Sequence, residues 1–416
     1  MGNYRLTDQI RPELYSRPPS IRLFNVKYSP NLGDGLLSEC LERALVDLGA
    51  AASTKSIDLA ARLEYGDSMA GRDIVMKALE ATPKSLRRLI VRAPLAVAAY
   101  RKWRPHFSKA VAGADGVVIG GGNLISDIDL NFPTKLGLAM EEAERAGLPV
   151  IIYACGMAEE WSSTGLRWCR RAFAKSNLRA VFVRDADSKA LWDELMAPHT
   201  GLAAEVVRDP GLLAADFFPP NPRIVRDRPI VGLGIMSHIA IRYHSRNAPS
   251  RRQLDDWYVA LTRQLISMGF NVRVFTNGSP EDRTYAADLA PRLRALRNSD
   301  NIAFVKQKDP AGLCAHIQDV DAVVAFRMHA VIAAYAYGVP AVALAWDRKL
   351  ASFMTSIGRD KFLLDVTETT PEACAALVRR VALEGVPEVE RRAVVSEARA
   401  DIARLWSFFR PEASKQ

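Results

Sequence analysis

The sequence predicts an α/β protein built from two successive doubly wound parallel sheets that face each other across a cleft. Three observations carry that expectation. First, short β-rich runs such as Ala322–Phe326 and Ile230–Ile235 are apolar without alternation, as strands covered on both faces require. Second, such runs alternate with helical stretches in both halves of the chain, with a proline- and charge-rich stretch, DFFPPNPRIVRDRP (Asp216–Pro229), between them. Third, 416 residues exceed one ordinary core, and an apolar content of 49% is enough to fill two.

In chain order, Ile21–Val26 reads as the first strand and Gly35–Leu48 as an amphipathic helix with Asp34 as its N-cap. Residues from about Ser53 to His106 read as helical and irregular. Strands follow at Gly116–Ile119, Val150–Ala154, Ala180–Val183 and Glu205–Val207, with helical patterns between most of them. Beyond the linker come strand Ile230–Ile235, a helix within Gln253–Met268, strand Asn271–Phe275 and a helix near Ala286–Leu296. Strand Ala322–Phe326 leads into an alanine-rich helix, Met328–Tyr337, closed by Gly338 and Pro340 before strand Ala341–Trp346. The last long helix, Glu388–Phe409, is expected to pack back across both domains. The division expected is 1–222, with a basic insertion at about 84–109, then 223–385, then a helix and tail at 386–416.

Charge and composition narrow the function. A net charge of +9 and a pI near 9.3 favour anionic partners. No RNP-like, zinc-finger or helix-turn-helix signature accompanies the charge, so nucleic acid is not the expected partner. The segment Lys84–Lys109 holds eight Lys or Arg and no acid, with apolar residues interleaved; it reads as a membrane-surface contact or, alternatively, as a solvated basic face. No apolar segment is long enough to span a bilayer, and the opening residues lack the apolar centre of a secretory signal. The five cysteines (Cys40, Cys155, Cys169, Cys314 and Cys374) contain no CxxC pair and are expected reduced, as in a cytoplasmic protein. The six histidines show no paired zinc spacing, so no metal site is expected; His238 and His244, after the strand ending at Ile235, are candidates to line the cleft.

The chemistry is expected at strand ends. A strand–helix–strand crossover puts both strands parallel, so Arg327, His329 and Lys349 lie near one sheet edge, the edge where open α/β sheets bind ligands. Gathering these cations costs several kcal/mol, of order, unless an anion offsets it; Asp347 can pair with one of them. In the first half, Asn31–Asp34 follows the first strand, and Gly120, Gly121 and Gly122 follow another, where glycines allow close backbone approach to a ligand. The pairs Arg184–Asp185 and Arg208–Asp209 follow two more strands and read alternatively as local salt bridges.

Taken together, NLGD (Asn31–Asp34), GGGNL (Gly120–Leu124), RDADS (Arg184–Ser188), Asp209–Pro210 and FRMHAVIAAYAYGVPAVAL with Lys349 resemble the polysaccharide pyruvyl transferase family, over roughly residues 24–365. The basic insertion and the C-terminal extension depart from the shorter members. The resemblance implies two Rossmann-like domains arranged as in the GT-B glycosyltransferases. It also implies transfer of a pyruvyl group from phosphoenolpyruvate to sugar hydroxyls as a ketal, with release of phosphate and no further cofactor. The acceptor expected is a cell-surface glycan precursor, lipid-linked, met at the inner face of the plasma membrane. Phosphoenolpyruvate carries two anionic groups, so Arg327 and Lys349 are candidate clamps, with Arg184, Asn31 and the three glycines as further binding candidates. His329 is the candidate acid for the methylene carbon. Asp34 and Asp185 are the candidate bases for the sugar hydroxyl. Two rivals are a sugar-nucleotide glycosyltransferase on the same architecture and a non-catalytic membrane-peripheral adaptor in polysaccharide assembly.

Overall fold

A computed structural model of the chain describes residues 17–67, 90–127, 129–175, 177–220, 222, 226–242 and 248–410. It contains two six-stranded sheets, and every strand pair in both is parallel. The first runs β2-β1-β3-β4-β5-β6, from β1 (Ile21–Asn25), β2 (Lys55–Asp58), β3 (Gly116–Gly120), β4 (Val150–Cys155), β5 (Leu178–Val183) and β6 (Glu205–Val206). The second runs β12-β11-β10-β7-β8-β9, from β7 (Ile230–Gly234), β8 (Asn271–Phe275), β9 (Ile302–Phe304), β10 (Ala322–Ala325), β11 (Ala341–Leu344) and β12 (Leu363–Leu364). Central strands β1, β3, β4, β7 and β10 are buried along their whole length, which explains their unalternating sequences.

Strand order reverses between β1 and β3 in one sheet and between β10 and β7 in the other, so each sheet opens a crevice at its carboxyl edge. The two edges meet. The helix Leu32–Asp47 leaves β1, and its Leu32 N–H donates to the Asn277 carbonyl beyond β8 at 2.7 Å. Behind this contact Leu36 and Cys40 of that helix share one apolar cluster with Leu313 and Cys314 of the helix Pro310–Gln318.

The helix Glu388–Ser407 touches both halves. Arg391 donates to the Ala336 carbonyl at 2.6 Å, Arg404 pairs with Glu205 at 2.7 Å, and Phe408 meets Phe182 edge-on at 6.0 Å. All five cysteines are buried and unbridged.

Two sequence expectations need correction here. Residues 53–106 are not helical throughout: Lys55–Asp58 is an edge strand, while 90–111 is helical with a wide turn at Ala99–Trp103. Residues 68–89, including the start of the basic segment, lie outside the described residues. Asp34 is not an N-cap. The helix begins earlier, with Asn31 as cap accepting from Gly33 N–H, so Asp34 sits in the first turn.

Candidate active site

Arg327 follows β10 and starts the helix Met328–Ala336, whose first turn has no side-chain cap. An uncapped helix N-terminus favours an anion on electrostatic grounds. The Arg327 guanidinium is steered by Asp282, a fully buried carboxylate, with Nε at 2.9 Å and Nη2 at 2.7 Å, and by Ser279 at 3.2 Å. Trp346, beyond β11, lies 5.8 Å from it. Asp282 is itself fixed by Ser237 N–H at 2.9 Å.

His329, the second residue of the same helix, is buried. Its Nε2 faces Asp209 Oδ2 at 3.7 Å, an ion-pair distance rather than a hydrogen bond. Both atoms are shut off from solvent and neither has another partner. Nδ1 is not sealed in this way, and the residue lines the cleft. The other Asp209 oxygen accepts from Gly211 N–H at 2.8 Å. Burial pushes the Asp209 carboxyl up, but His329 and the Gly211 N–H outweigh it, and the group is held below its ordinary range. The opposite face of the imidazole rests on Gly33 of the first sheet's helix. A Cβ there would lie 2.5 Å from His329 Cβ and 2.6 Å from Nδ1, so any larger residue displaces the ring.

Lys349 follows β11, in the first turn of the helix Arg348–Ser356. Among the described residues it has no hydrogen bond or ion pair. Burial, and then the neighbouring Arg184, push its ammonium down to about 8, against the pull of Asp347, Asp185 and Asp34. Arg184, at the end of β5, is nearly enclosed; its Nε is 3.4 Å from Asp185 and has no hydrogen bond.

Seven of the ten sequence candidates line one cleft of about 240 Å³: Asn31, Asp34, Gly122, Arg184, Arg327, His329 and Lys349. Three do not. Gly120 closes β3, and Gly121 has φ 82° with Leu37 Cδ1 2.0 Å from where a Cβ would stand. Both serve the packing of the helix onto the sheet. Asp185 is a helix cap: Oδ1 accepts from Ser188 N–H at 2.6 Å and Oδ2 faces Arg184. Both of its oxygens are engaged, whereas the Asp34 carboxylate in the cleft makes no hydrogen bond or ion pair among the described residues. Asp347 likewise caps its own helix through Leu350 N–H and acts on Lys349 only at a distance; the close carboxylates are Asp282 on Arg327, Asp209 on His329 and Asp185 on Arg184. Arg208 does not pair with Asp209 but with Glu397 at 2.8 Å. His238 packs its ring against Tyr285 and is absent from the cleft lining, and His244 lies outside the described residues.

Asp282, Asn123, Asn277 and Trp346 were not legible as site residues. Asn123 Oδ1 and Asn277 Nδ2 are buried, unpartnered and belong to residues lining the cleft; Asn123 directly follows the glycine triplet, which was the available signal. Among the described residues no cluster of three or more His, Cys, Asp or Glu is placed to hold a metal.

Comparison with known proteins agrees with this architecture. Solved structures of similar fold include a putative UDP-N-acetylglucosamine 2-epimerase from Listeria monocytogenes, with TM-score 0.53 and 11% identity over 93% of this chain and 95% of that one. Another is UDP-GlcNAc 2-epimerase from Methanocaldococcus jannaschii, with TM-score 0.52 and 11% identity over 94% and 99%. A third is S. aureus MnaA with UDP, with TM-score 0.51 and 10% identity over 93% and 94%. At such identities the likeness establishes the fold, two Rossmann-like domains of GT-B type, and nothing about the ligand. No curated protein matches the chain. The family model described as polysaccharide pyruvyl transferase matches residues 31–348, from the Asn31 cap to the residue before Lys349. The chain, a transferase by this match, belongs to the polysaccharide pyruvyl transferase family.

Proposed function

We propose that the cleft binds phosphoenolpyruvate and transfers its pyruvyl group, as a ketal, to two hydroxyls of a sugar in a cell-surface glycan precursor. The observation that carries this reading is the convergence of Arg184, Arg327 and Lys349 with His329 on one small cleft, where Lys349 makes no hydrogen bond or ion pair among the described residues. A ligand with a phosphate and a carboxylate supplies the missing negative charge.

His329, as the imidazolium, donates its Nδ1 proton to the methylene carbon, which becomes the methyl group. Asp209, 3.7 Å from Nε2, holds the ring's orientation. Positive character at C2 is met by a sugar hydroxyl, whose proton passes to Asp34. The C2–O bond to phosphate breaks, and the second hydroxyl closes the ketal. Of the two hydroxyl protons, one restores the imidazolium and the other leaves on the released hydrogen phosphate. Arg184, Arg327 and Lys349 hold the leaving phosphate and the carboxylate throughout.

The acceptor in this reading is lipid-linked and met at the inner membrane face. The described part of the basic segment supports it: Ile90, Val97 and Tyr100 are exposed beside Arg92, Arg101 and Lys102, the composition of an interfacial contact. Among the described residues no helix is long and apolar enough to cross a membrane.

The test is incubation with phosphoenolpyruvate and a panel of lipid-linked and synthetic glycosides, scored by phosphate release and product mass. A product heavier than the glycoside by a pyruvyl ketal is expected. Phosphate release equal to that of a His329→Ala variant across the panel would remove the reading.

A further inference from the structure

Beside the cleft lies a second and larger cavity, about 940 Å³ against about 240 Å³. It opens between the carboxyl ends of β5 and β6, the helix Arg348–Ser356 and the C-terminal helix Glu388–Ser407. Arg184, Met328 and Lys349 line both cavities and form the wall between them. We infer that this larger cavity is the acceptor site and takes a neutral, hydroxyl-rich saccharide, which reaches the donor across that shared wall. The inference rests on the donor reading of the smaller cleft.

Size is the first argument. Sites for drug-sized ligands run roughly from 300 to 1,000 Å³; the cleft falls below that range, as suits a three-carbon donor, and the larger cavity lies near its top.

Charge is the second. The cleft is lined by three basic side chains (Arg184, Arg327 and Lys349) and two carboxylates (Asp34 and Asp347). The larger cavity balances five cations, Arg184, Arg208, Arg348, Lys349 and Arg404, with five carboxylates, Asp185, Asp187, Asp209, Glu397 and Asp401. Its own arginines are already matched: Arg208 to Glu397, Arg348 to Glu159 and Arg404 to Glu205. A second phosphorylated ligand would find no uncommitted cation beyond the shared wall.

The uncommitted groups are of another kind. Asp187 and Ser352 have no hydrogen bond or ion pair among the described residues and can receive sugar hydroxyls. Val206 and Phe353 supply apolar surface for the C–H faces of a ring. Placement is the third argument. One wall comes from the helix Glu388–Ser407, outside the span of the family match, so this chain shapes the cavity with residues of its own.

Ala351→Trp and Ala400→Trp, on two different helices, fill the cavity without touching the cleft. Saturation-transfer NMR with a panel of p-nitrophenyl hexopyranosides, with phosphoenolpyruvate present, reads occupancy; the thermal shift by phosphoenolpyruvate reports an intact fold and donor site. At least one glycoside is expected to give a signal that falls at least about tenfold in both variants while the thermal shift persists. If only one variant folds, that one decides. Silence from the whole panel with wild-type protein, or a signal unchanged in a folded variant, overturns the assignment. Absence of the wild-type thermal shift would instead refute the donor reading, and a glycoside signal lost on filling the cavity would still place a saccharide there.

Discussion

Replacing Lys349 by Met separates the cost of the site from its use. In the folded protein the ammonium is pushed down to about 8 from the ordinary lysine value of 10.5, chiefly by burial. At about 1.4 kcal/mol per pH unit, that difference corresponds to about 3 kcal/mol of native-state cost at most. The sign follows from linkage. Below pH 8 the lysine is protonated in both folded and unfolded chains, and the full cost is present. Between 8 and 10.5 the folded lysine has lost its proton while the unfolded one keeps it, so stability rises with pH, and above 10.5 the cost is gone. Lys349→Met retains most of the stem and removes the charge. It is therefore expected to be more stable than wild type at pH 7, by up to about 3 kcal/mol, and to lack the rise above pH 8. Phosphoenolpyruvate should reverse the order, because it stabilises only a protein that binds it. Urea unfolding at pH 7 and pH 9.5, with and without phosphoenolpyruvate, measures all of this. A variant less stable than wild type at pH 7, or one that keeps the full alkaline rise, would show that the ammonium is already compensated and that no anion is required.

Three further outcomes are expected. Gly33→Ala places a Cβ 2.5 Å from His329 Cβ; stability should fall by about 1–3 kcal/mol and kcat at least about tenfold as the ring moves, and unchanged kinetics would mean that the ring position does not matter. Asp209→Asn should lower kcat about 100-fold with little change in KM for phosphoenolpyruvate, since the amide no longer holds the imidazole as the carboxylate does; an unchanged kcat would show that this pairing does not matter to catalysis. Charge reversal of Arg101 and Lys102 to Glu should abolish flotation with anionic phosphatidylserine vesicles while leaving catalysis on a soluble glycoside intact; equal flotation would place membrane contact elsewhere.

The sequence by itself determined the strands and what stands at their ends. Apolar runs such as Ala322–Phe326 and Val150–Ala154 can be buried only in a sheet covered on both faces, and the parallel crossover brings Arg327, His329 and Lys349 to one edge wherever the rest of the chain goes. Short edge strands were harder to read. β2, β9 and β12 span only 4, 3 and 2 residues, and their pairing is decided by the neighbouring strand rather than by a pattern of their own. Only the tertiary structure decided which carboxylate meets which cation. Asp282 reaches Arg327 across 45 residues, and Asp209 comes from the far side of the linker to face His329. The first pairing depends on the strand order within the second sheet and the other on how two sheets dock, and no local periodicity encodes either. The same holds for Gly33 beneath the imidazole and for the C-terminal helix that walls the larger cavity: each is a contact between distant segments, made by packing of the whole chain.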